Sequence, residues 1–139
     1  MRHVPVILLA PLLLAGCGYV MSGTWDDDAG NWKRAFGSIK PDDVTVVHSK
    51  YWKSNHFTEE HMYYFEIEAA PEWRDIFLKQ RGFAEVSPTS ARSFRMNNHD
   101  DGVPDWFAPD PVGLYDVWDN AGFGSVWINK TTGHIFFYE

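Results

Sequence analysis

The order of apolar and polar positions divides the chain into segments of different period. Trp25, Ala29, Trp32 and Phe36 recur at helical offsets, with Thr24 placed to cap the segment and Gly37 to stop it, and predict a first helix. "DVTVVHSKYW" (43–52) and "HMYYFEIEA" (61–69) are rich in β-branched and aromatic residues and predict two antiparallel strands joined by turn formers. In the second, Tyr63, Phe65 and Ile67 alternate with Tyr64, Glu66 and Glu68, which predicts one wet face. The first strand alternates less cleanly: Val44 and Val46 share a parity with His48, whereas Val47 shares one with Tyr51.

"PEWRDIFLKQRG" (71–82) carries the full set of helix signals. Pro71 suits the first helical position, Glu72 and Asp75 the positive end, Lys79 and Arg81 the negative end, and Gly82 a left-handed close. Trp73, Ile76, Phe77 and Gln80 form the expected inward stripe. "FAEV" (83–86) predicts a short strand. "GLYDVWD" (113–119), "SVWINK" (125–130) and "HIFFYE" (134–139) predict three more, the last two joined by a tight turn at Thr131-Thr132-Gly133. The expected fold is therefore a single α+β domain over 25–139, mainly an antiparallel sheet of about five strands with two helices packed on one face.

Residues 87–111, "SPTSARSFRMNNHDDGVPDWFAPDP", form a connection too long for an ordinary link in a compact domain, and such loops are usually functional or disordered. Trp106 and Phe107 argue for a loop that covers something, either the core beneath it or a ligand above it.

The first 16 residues have another character. Met1 and Arg2 supply positive charge, Val4 to Leu14 is apolar but broken by Pro5 and Pro11, and Ala15 and Gly16 are small, the layout of an export signal. A spanning helix needs about 20 apolar residues, more than this stretch offers.

Leu14-Ala15-Gly16-Cys17 resembles the lipobox of bacterial lipoproteins. The resemblance implies cleavage by a type II signal peptidase before Cys17, which then carries a diacylglyceryl thioether and an N-acyl chain such as palmitate. Gly18, where an aspartate would retain the protein at the inner membrane, implies sorting to the outer membrane, facing the periplasm. Cys17 is the chain's one cysteine and has no partner for an internal disulfide. Each buried methylene is worth roughly 0.8 kcal/mol, so several acyl chains hold the domain firmly. Residues 17–24 then act as a lipidated tether reaching at most roughly 23 Å, which keeps the domain close to the bilayer.

Charge narrows the partners. Loss of Arg2 from the 12 basic residues leaves 11 against 19 acidic ones, a formal charge of −8. This balance opposes binding to nucleic acid or to anionic lipid by charge, and suits a basic protein partner. Seven tryptophans within an aromatic content of 17% supply core material without disulfides.

Motifs for chemistry are sparse. "HFTEEH" (56–61) matches neither HExxH nor HxxEH, and "NNHDDG" (97–102) starts like a calcium loop but places Ala108 where a glutamate is required. Ser125 lies outside a GxSxG elbow, and no phosphate-binding glycine loop occurs. No cofactor and no metal are predicted.

"NWKRAFG", "VVHSKYW", "YYFEI", "WFAP" and "NKTTGHIFFYE" together resemble small bacterial proteins of no known activity, which implies a shared α+β domain and no catalytic residues. The expectation is a membrane-anchored, non-catalytic binding lipoprotein of immunity-like type, holding a protein partner. The alternative is an envelope glycan-binding protein or hydrolase using the aromatics and carboxylates of 97–111. Candidate binding residues are Asp101, Asp105, Trp106 and Phe107.

Overall fold

The computed structural model describes residues 22–55, 60–87, 102–107, 112–122 and 124–139. Along the chain run β1 (Gly23–Asp26), α1 (Asn31–Phe36), β2 (Val44–Lys53), β3 (His61–Ala69), α2 (Pro71–Gln80) and β4 (Ala84–Val86). A 3-10 turn (Val112–Leu114), β5 (Tyr115–Asn120), β6 (Gly124–Asn129) and β7 (Ile135–Tyr138) complete the domain. The fold is α+β, but the single sheet holds seven strands, not five, in the order β1-β2-β3-β7-β6-β5-β4.

Every neighbouring pair is antiparallel. β3 and β4 therefore run parallel to each other at a distance of four strand steps, and no hairpin can join parallel strands. α2 supplies the crossover to the far edge. The chain then meanders back through β5 and β6 until β7 closes against β3, from Tyr64 opposite Tyr138 to Ile67 opposite Ile135.

Six of the strands match the six segments whose sequence predicts a strand, and the seventh, β1, comes from the segment expected to begin the first helix. Trp25 lies in β1 opposite Tyr51, Thr24 belongs to the same strand, and α1 starts only at Asn31. Between them Asp27 takes a left-handed backbone with φ of 48°, and the Asp28 carboxylate accepts the Gly30 N–H at 2.7 Å. Those local bonds compete with helix propagation. Trp25, Trp32 and Phe36 still meet one hydrophobic cluster, reached from two elements instead of one. Gly37 stops α1 as expected, with φ of 67° and its N–H bonded to Lys33 O.

Fully buried Asn31 pins this corner. Its Nδ2 donates to Trp25 O at 2.9 Å and Ser49 Oγ at 3.1 Å, and its Oδ1 accepts from Arg34 Nη1 at 2.9 Å. β1, α1 and β2 are thus tied through one satisfied buried amide.

Both helices cover the first face of the sheet. Phe36 packs on Phe65 and Phe137, Phe77 on Phe137, and Trp73 on Trp32. The inward stripe of α2 is rotated from expectation: Leu78 is buried at 3% exposure, whereas Ile76 is 55% exposed. Arg81 accounts for part of the rotation, lying over the rings of Phe36 and Phe77 and pairing with Glu139 at 3.6 Å.

Candidate functional site

Among the described residues no helix covers the second face of the sheet. Tyr64, Tyr115, Val117, Trp127 and Phe136 form a separate cluster there, and residues 102–107 lie on it. Phe107 is the wedge, 1% exposed and set edge-on against Tyr64, Trp127, Phe136 and Tyr138 at centroid distances of 5.1 to 6.1 Å. Phe107 N–H donates to Pro104 O at 2.8 Å, closing the turn that carries Asp105 and Trp106. Lys50 Nζ donates to Gly102 O at 3.1 Å and ties down the start of the segment.

The two loop aromatics therefore divide their work. Phe107 faces inward, while Trp106 is only partly buried and stacks on the imidazole of His48, with centroids 5.3 Å apart and planes 22° from parallel. Asp105 beside it is exposed.

Two backbone irregularities bring His48 to this place. The β2–β3 ladder shifts register between Val46 and His48, so Val47 is an extra residue in a β-bulge. Val44 and Val46 face the first cluster, as do Ser49 and Tyr51 beyond the bulge, while His48, Lys50 and Trp52 turn to the second face. The broken parity noted in the sequence is this bulge. The second irregularity is Asp27, a non-glycine residue in left-handed conformation, which is uncommon and costly. Its N–H donates to Ser49 O at 2.7 Å and its Oδ1 accepts from Ser49 N–H at 2.9 Å. Both carboxylate oxygens then lie 3.3 Å from His48 Nδ1. Asp27 orients the imidazole from one side and Trp106 holds it on a face. The site stays wet, with side-chain exposures of 40% for His48 and 54% for Asp27.

Other titratable groups gather nearby. Glu66 pairs with His48 across β2 and β3 and lies 2.7 Å from His134 Nδ1, while Glu68 lies 3.0 Å from His134 Nε2. The two nitrogens of one imidazole point apart, so these carboxylates clamp the ring and do not converge on a common ion. Among the described residues no group of three or more His, Cys, Asp or Glu is placed to hold a metal ion. One residue beyond Asp27, Arg34 bonds Asp28 at 2.5 Å and, with the Gly30 N–H, holds that carboxyl below its usual range. A shallow cleft of about 410 Å³ at the β4–β5 edge is lined by Glu85, Ser87, Asp116 and Lys130, with Lys130 3.4 Å from Asp116.

Of the residues expected from sequence to bind, Asp105 and Trp106 lie on this surface and Phe107 lies beneath it. Asp101 and the lipobox cysteine Cys17 fall outside the described residues, as do His56, Glu59 and most of the calcium-like segment. His48 and Asp27 were not expected, and the parity break at Val46-Val47-His48 was the one available signal. Comparison with known proteins finds no matching family, no matching curated protein and no matching solved structure.

Proposed function

We propose that the protein is a lipid-anchored, non-catalytic binding module of the cell envelope that captures a protein partner through Asp27, His48, Asp105 and Trp106. The observation that carries this reading is the convergence of a β-bulge and a left-handed aspartate on one imidazole stacked against a partly exposed tryptophan. Costly backbone features concentrate where a surface has a task beyond folding. Tryptophan is also the side chain most often found carrying the energy of a contact.

The partner's chemistry follows from charge. The mature chain carries a formal −8, and the surface holds the exposed carboxylates of Asp27, set against the His48 imidazole on which Trp106 stacks, and of Asp105, next to Trp106 in the chain. A lysine or arginine of the partner gains both an ion pair and a cation–π contact there. Neutralising a basic toxin near the membrane is one concrete form of this role. The lipid on Cys17, at the outer membrane facing the periplasm, supplies the location.

A photo-crosslinking residue beside this surface in intact cells tests the reading. With that residue placed at exposed position 102 of the same segment, so that Trp106 is kept, one discrete partner is expected, with capture weakened by Trp106→Ala and by Asp105→Ala; undiminished capture by both variants refutes it. Cys17→Ser is expected to move the protein from the membrane fraction to the soluble one.

A further inference from the structure

The sheet ends at β4 in an edge that lies beside a cleft. Gly82 takes φ of 69°, Phe83 N–H donates to Leu78 O at 3.0 Å, and Asn120 Nδ2 donates to Arg81 O at 2.7 Å, so the chain leaves α2 and enters β4 along a fixed path. Ala84, Glu85 and Val86 pair with Asp119, Trp118 and Val117 of β5 on one side. Among the described residues no strand pairs with the other side, where alternate backbone N–H and C=O groups of β4 point outward. The cleft of about 410 Å³ opens at this same edge. Register assigns its side chains to faces. Trp118 packs on the first cluster, so Glu85 opposite it and Asp116 two residues before it project from the first face, whereas Val86 packs on the second cluster. Lys130 lies 3.4 Å from Asp116, and these two charges offset each other. The exposed carboxylate of Glu85 makes no ion pair among the described residues, which leaves the cleft one negative charge in excess.

We infer that the β4 edge and its cleft form a docking site for an extended peptide segment, which adds to the sheet beside β4 and sets a lysine or arginine against Glu85. Main-chain hydrogen bonds to the edge supply the attachment, and the cleft supplies the selectivity. A residue opposite Glu85 projects from the first face directly beside that carboxylate, where an opposite charge is favoured and a like charge is not. Its two neighbours project from the second face beside Ala84 and Val86, where apolar side chains fit. The segment therefore reads apolar, basic, apolar. The same charge sets this occupant apart from a second copy of the chain, because two β4 edges paired antiparallel about their centres would place Glu85 against Glu85.

The inference is independent of capture at Trp106, since β4 lies five strand steps from β2 in the sheet order and the test uses synthetic peptides. The capped pentapeptide Thr-Val-Lys-Val-Thr is titrated into the isotope-labelled protein and followed by amide NMR, in parallel with Thr-Val-Glu-Val-Thr and Thr-Pro-Lys-Pro-Thr. The lysine peptide is expected to shift the amide signals of Ala84–Val86 and to slow hydrogen exchange there, and the glutamate peptide to bind about fivefold more weakly or worse. The proline peptide keeps the charge but lacks the ladder donors, and should not bind. Glu85→Lys should reverse the preference between the first two peptides. Because Glu85 is exposed, this variant should keep the native circular dichroism and thermal midpoint, which separates lost binding from lost fold. Absence of binding by the lysine peptide, equal binding of the proline peptide, or an unreversed preference in Glu85→Lys overturns the inference. So does a concentration-dependent dimer that protects the β4 amides, in which a second copy of the chain takes the edge.

Discussion

Val46 and His48 lie two residues apart on one strand and face opposite sides of the sheet. Regular pleating would put them on the same side, and the extra residue Val47 reverses the parity. Val46 can then fill the helix-covered cluster while His48 reaches Trp106. Deleting Val47 leaves Val46 and His48 opposite consecutive residues of β3, Ile67 and Glu66, in an unbroken ladder. The deletion variant is therefore expected to fold, with a loss of stability well below that of a core truncation. It should lose the bulge's local twist and with it the stack on Trp106. A shifted Trp106 fluorescence with native far-ultraviolet circular dichroism is the expected result; complete unfolding would show that the bulge serves the core.

Phe107 and Trp106 are adjacent, and the structure assigns them unequal roles. Phe107 is 1% exposed among four rings, so Phe107→Ala should cost about 3–5 kcal/mol, the range for truncating a buried aromatic. Trp106 is partly exposed and stacks on one imidazole, so Trp106→Ala should cost under about 1.5 kcal/mol. Urea denaturation of both variants decides the matter, and equal losses would mean that Trp106 is core as well.

Much of this fold is legible because its signals are local. Pro71 and Gly82 bracket α2, and the last hairpin closes where Asn129 Oδ1 accepts the N–H groups of Thr131 and Thr132 and Gly133 takes φ of 76°. The failures share a cause, since each depends on contacts between distant segments. Trp25 fits a helical stripe with Trp32 and Phe36 because all three meet one cluster, and spacing alone does not distinguish one helix from a strand followed by a helix. Ile76 fits the α2 stripe equally well, but Leu78 and Arg81 settle the rotation through rings elsewhere in the chain. The bulge at Val47 carries no glycine to announce it and shows only as a parity conflict. His48 was legible as a residue out of step, but its partners Asp27 and Trp106 lie 21 and 58 positions away.

Asp27 occupies backbone space that a β-branched side chain resists. At φ of 48°, Asp27→Val should cost roughly 1–3 kcal/mol from strain and from loss of the bond to Ser49 N–H. Asp27→Asn tolerates the same conformation and keeps an acceptor oxygen, so it should stay close to native stability. The two variants separate backbone from charge: if binding of the crosslinked partner depends on the carboxylate, Asp27→Asn weakens capture at native stability. Equal thermal midpoints for Asp27→Val and Asp27→Asn would contradict the strained geometry.

The alkaline limit of stability belongs to Tyr63 and Tyr64. Burial raises the Tyr63 phenol well above its ordinary value, and the hydrogen bond to the Glu139 carboxylate adds to the shift; burial does the same for Tyr64. An unfolded tyrosine ionises near pH 10, whereas these two hold their protons in the native state. The folded state therefore binds more protons in that range. The stability they contribute is fully present below about pH 10 and declines as pH rises above it. Spectroscopic titration should show phenolate from Tyr63 and Tyr64 only together with loss of the native circular dichroism. Tyr63→Phe should make the fall in stability above about pH 10 less steep by removing one of the two linked protons. Ionisation of Tyr63 and Tyr64 in a chain that remains folded would contradict this account.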